Sequence, residues 1–160
     1  MVIVLPCACS LALAADATWI GNISSNIWDA NNWSPKDFTG TLTIVDGIPY
    51  DPTHSSTMPG DSTFRPNKLN VEAGGLLRIT GSDLIPWSSD YINGQVRIIL
   101  GGLNIRSTAY IGKNASGVVS VYGGYFTQKN ALTIGYGAGG DGTLNVHGGS
   151  VYFGATPVIG

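Results

Sequence analysis

The chain predicts an all-β fold built as a β-solenoid, with short strands stacked coil upon coil, and three observations carry that expectation. After residue 18 no helix of useful length is visible. Gly, Pro, Asn, Asp and Ser punctuate the chain every few residues, and β-branched residues dominate the apolar positions. Gly-Gly pairs at 74–75, 101–102, 123–124 and 148–149 each sit between short alternating segments such as VSVYGGYFTQ and LNVHGGSVYF. A second marker runs in phase with them: YIG at 110–112, TIG at 133–135 and VIG at 158–160. One such unit cannot bury its apolar face, whereas stacked units can, because each strand hydrogen-bonds to its equivalent one coil away. A Gly-rich β-sandwich with hairpins is the alternative.

Taken in order, residues 1–17 (MVIVLPCACSLALAADA) pair a short apolar run with small residues. Ala12-Leu13-Ala14 and Ala15-Asp16-Ala17 both fit the cleavage pattern of a secretory signal peptide, although no Lys or Arg precedes Lys36. The run is too short for a stop-transfer helix, so no membrane span is expected in this segment. Cys7 and Cys9, the two cysteines, lie inside it. Cleavage leaves a chain without cysteine, and Cys-x-Cys alone supplies too few ligands for a metal. The expected location is secreted or at the cell surface.

Residues 18–68 read as an N-terminal cap and the first irregular coils. Trp19, Trp28 and Trp33 fall close together among Asn, Asp, Ser and Gly. Their rings suit the covering of an open hydrophobic end. Alternatively, aromatic faces beside amides suit sugar binding, which makes Trp28 and Trp33 candidate platforms. The stretch 46–70 lacks periodicity and reads as loops. A second irregular insertion at 80–95 carries Trp87, a third candidate platform, since loops leaving a regular scaffold often bind ligands.

Residues 69–160 read as the solenoid repeats. Alternation places Leu144 and Val146, Val119 and Val121, and Val96, Ile98 and Leu100 inward. Asn145 and His147, Ser120 and Tyr122, and Arg97 then point outward. Glycines are expected where the chain turns corners. The last residues repeat the marker that opens a coil, so the chain reads as the N-terminal part of a longer protein, with an open edge suited to self-association.

The opening TWIGNISSNIWDANNWSP resembles the segment that follows the signal peptide in many bacterial autotransporter-type and PEP-CTERM-sorted surface proteins. LTIGYGAGGDGTLNVHGGSV and AYIGKNASGVVSVYGGYF are similar to the repeats of their passenger regions. The resemblance covers residues 17–35 and about 69–160. It implies an exported right-handed parallel β-helix serving as a surface stalk, adhesin or matrix component. No β-barrel, sorting tail or anchor accompanies it in this sequence.

Chemistry is sparse. Charged residues make up 11% and the net charge is −2, with no basic cluster of the kind a nucleic-acid partner needs. From Val96 onward the only acidic residue is Asp141, and one carboxylate cannot supply the acid and base of glycoside hydrolysis. GAGGDGTLNV departs from the calcium nonapeptide at Tyr136 and Thr143 and does not recur. His54 and His147 are isolated, and no Gly-x-Ser-x-Gly elbow occurs. No catalytic residue, metal or cofactor is expected. The expected role is a structural, adhesin-like stalk or passenger region. The alternative is a carbohydrate-binding or polysaccharide-processing β-helix, with an extracellular polysaccharide as partner.

Overall fold

The computed structural model describes residues 16–21, 26–27, 29–34, 40–46, 53–54 and 63–160. Residues 1–15 and Trp28 lie outside these. Strands β1 (Ala17–Trp19), β2 (Trp33–Ser34) and β3 (Thr41–Ile44) come first, with a single 3-10 turn at Ala30–Asn32. Strands β4 (Thr53–His54), β5 (Thr63–Phe64), β6 (Lys68–Val71), β7 (Leu76–Leu84), β8 (Asp90–Ile92) and β9 (Gln95–Ile105) follow. The remainder are β10 (Ala109–Lys113), β11 (Ser116–Val121), β12 (Tyr125–Gln128), β13 (Leu132–Tyr136), β14 (Asp141–Val146), β15 (Ser150–Phe153) and β16 (Val158–Ile159). They wind into a parallel β-solenoid of about five turns.

Every coil gives one strand to a first sheet and the next stretch to a second sheet, which bends halfway. In the first sheet β3, β6, β8, β10, β13 and β16 pair in parallel. At its end β1 pairs in parallel with β3, and β2 runs antiparallel to β1. In the second sheet β9 pairs with β7 on one side and with β11 and β12 on the other, and these continue into β14 and β15.

In-register pairing puts like on like inside. One ladder runs Ile44, Val71, Ile92, Ile111, Ile134, Ile159. Others run Leu77, Val96, Val119, Leu144 and Leu84, Leu103, Phe126, Val151. Most of these side chains are fully buried, at about 1.5–3 kcal/mol each. The Ile-Gly marker therefore has a simple cause: Ile fills the core ladder and the following Gly, with φ of 75° at Gly112 and 72° at Gly135, turns the chain off the sheet.

The Gly-Gly pairs turn out to mark two different corners. Register aligns Gly75 with Gly94, Gly117 and Gly142, where each coil leaves the first sheet. A Cβ on Gly117 would strike the carbonyl of Ile92, and one on Gly142 that of Ile111. The bend of the second sheet has its own column, Gly101, Gly124 and Gly149, all at positive φ. Gly102 thus pairs with Tyr125 and not with a glycine. Both corners combine close approach with positive φ: a Cβ on Gly124 would strike the carbonyl of Gly101, and Gly74 at the first corner has a φ of 82°, so the dipeptides look alike in sequence while occupying different places.

Three other expectations are corrected. Leu100 is 60% exposed, because the strand bends at Gly101 and releases Ile99 and Leu100 to solvent. The stretch 46–70 supplies strands β4 and β5, which pair with β7. The stretch 80–95 contains the end of β7 and all of β8, a regular part of the coil.

Candidate functional site

Trp33 on β2 registers against Trp19 on β1, with ring centroids 5.0 Å apart in an edge-on arrangement. Its Nε1 donates to the Ile27 carbonyl at 2.7 Å, and both rings are buried. A ring with no open face cannot stack on a pyranose, so Trp33 is withdrawn as a sugar platform. Trp28 lies outside the described residues.

Trp87 follows β7 and is 47% exposed. Its backbone N–H donates to Asn67 at 3.1 Å, and the Arg106 guanidinium carbon lies 4.3 Å from its ring centroid. One face of the ring is therefore occupied by a cation. Trp87 and Trp33 are not brought together: one belongs to the first-sheet end, the other to a corner between β7 and β8.

Two carboxylates have unusual surroundings. Asp90, at the start of β8, is fully buried beside the aliphatic ladder that includes Ala109 and Leu132. Its Oδ1 accepts from the Leu69 N–H at 2.6 Å, while Oδ2 has no partner. Burial pushes its pKa up to about 8, against the opposing effects of the Leu69 hydrogen bond and the Lys68 charge. Asp83, on β7, accepts from the Tyr125 hydroxyl; burial first, then Asp83, push the tyrosine up to about 12. Among the described residues no three His, Cys, Asp or Glu side chains lie together as a metal would need, and no ligand-sized cleft opens.

The densest chemistry lies on the outer face of the first sheet. Its outward column reads Thr18, Thr43, Asn70, Tyr91, Tyr110, Thr133, Val158. Tyr91 and Tyr110 stack at 5.5 Å and 27°, and Tyr136 continues the row 5.4 Å from Tyr110. Lys68 Nζ sits 4.2 Å from the Tyr91 centroid. Lys113 Nζ reaches back to 4.3 Å from Tyr91 and 4.8 Å from Tyr110. Sequence reasoning missed this row. The available signal was the repeated Tyr-Ile pair at 91–92 and 110–111, where Ile marks the core ladder and Tyr must point outward.

On the second sheet His147 stacks on Tyr122 at 4.7 Å and 6°, an outward pair one coil apart. No protein-family model, curated protein or solved structure matches the chain.

Proposed function

We propose that this chain is part of an exported structural protein of the cell surface or extracellular space, adhesin-like, whose stacked coils form a stalk or passenger region. Catalysis has no part in this reading. The observation that carries it is the aliphatic ladder from Ile44 to Ile159, one residue per coil without interruption. A solenoid whose coils touch only their neighbours transmits load along its axis and sets a distance by its coil number. Export is supported by the small-residue motifs that close the apolar run of residues 1–17.

The test is expression of the chain with a C-terminal tag in a Gram-negative host, followed by fractionation and N-terminal mass determination. Export predicts removal of the leader near Ala14 or Ala17 and recovery outside the cytoplasm. Intact Met1 in a purely cytoplasmic product overturns the reading.

A further inference from the structure

We propose that the outer face of the first sheet is a binding strip for an acidic polysaccharide, formed by Tyr91, Tyr110, Tyr136, Lys68 and Lys113. Two ammonium groups are gathered against the single ring of Tyr91, at 4.2 and 4.3 Å. Like charges repel, and the ring quadrupoles that hold them offset only part of that repulsion. An anion lying across both lysines relieves it. Asp16, which accepts from the Thr41 N–H, offsets part of the Lys68 charge, and Glu72 accepts from the Asn70 amide.

The shape of the strip selects a polymer. Its rings succeed one another along the solenoid axis with the coil spacing of a parallel sheet, about 4.8 Å, a repeat of the same order as the rise of an extended glycan. Among the described residues no cleft encloses a small anion. Bases of a single-stranded nucleic acid need free aromatic faces, whereas the faces of Tyr91 are taken by ammonium groups and by Tyr110. A ligand therefore meets the half-buried Tyr91 and Tyr110, the more exposed ring of Tyr136 and the lysine ammonium groups. That set donates to the carboxylates and hydroxyls of a uronic-acid chain.

The experiment is calorimetric titration of the folded chain at low salt with oligogalacturonate, dextran, poly-glutamate and oligo-dT. Expected is saturable binding of oligogalacturonate that dextran does not reproduce and that the two other polyanions match only far more weakly. Lys113→Gln should weaken it about tenfold and flatten its salt dependence. Tyr110→Thr should weaken it to a similar degree with the salt dependence kept. Thr already occupies this column at positions 43 and 133, so the strand tolerates it, and circular dichroism confirms folding of both variants. Absence of binding, equal binding of poly-glutamate or oligo-dT, or wild-type affinity in both folded variants overturns the proposal.

Discussion

Tyr125 spans two coils: its ring lies over Gly102, one coil back, and its hydroxyl is bonded to Asp83, two coils back. The three residues share one register column, since Asp83 pairs with Gly102 and Gly102 with Tyr125. Glycine at 102 is what leaves room for the ring.

Gly102→Ala should therefore act through Tyr125. A Cβ at 102 meets the far end of the tyrosine ring, which can swing away at the loss of the Asp83 bond. The expected cost is about 1 kcal/mol, close to that of Tyr125→Phe. The double variant should cost little more than either single one, because both remove the same interaction. Urea midpoints for the three proteins check this.

Gly117→Ala should be far worse. Its Cβ would meet the Ile92 carbonyl and the Gly112 backbone, neither of which can move without opening the ladder between coils. A cost of at least about 3 kcal/mol is expected, against about 1 kcal/mol at Gly102. Equal costs at the two glycines, measured by chemical denaturation, would contradict the distinction between backbone and side-chain crowding.

Asp90 sets a pH dependence opposite to that of an ordinary paired carboxylate. Between its unperturbed 3.8 and its folded value of about 8, the folded state keeps a proton that the unfolded state has lost. Stability contributed by the neutral carboxyl is thus fully present below 3.8, falls as pH rises and is gone above about 8. Asp90→Asn keeps an acceptor for the Leu69 N–H and cannot ionise. Melting temperatures across this range should fall for the native chain and stay flatter for the variant.

The two tryptophans should separate cleanly. Trp33→Ala empties a buried site and should cost about 3–5 kcal/mol. Trp87→Ala removes a half-exposed ring stacked on Arg106, and should cost about 1 kcal/mol. Thermal melts of both variants give the comparison.

The stacking was legible because its cause is local: an Ile that must face the core, followed by a Gly that must leave the sheet, reads directly as Ile111-Gly112 and Ile134-Gly135. The phase of the glycine pairs was not, since Gly75 and Gly101 stand at different corners that leave the same letter. Trp33 and Trp87 likewise look equivalent in sequence. Only the antiparallel pairing of β2 with β1 buries the first, and a contact between short strands leaves no periodic trace. The tyrosine row was hidden because its members come from separate coils, and Tyr136 pairs with Lys113, outside the column of Tyr91 and Tyr110. Lys113 joins them through the reach of a long, flexible stem, which spacing cannot reveal.

The two glycine columns make each coil an interchangeable module. Variation in coil length is absorbed in the corner loops, while the ladders on the faces keep their register from Ile44 to Ile159. Duplicating one coil in the gene would insert a new rung without disturbing the pairing of those on either side. Deleting one would rejoin its neighbours in phase. Length is thereby open to change by recombination in whole-coil steps, except where contacts that cross coils, such as Tyr125 with Asp83 and Lys113 with Tyr91, tie a rung to its neighbours.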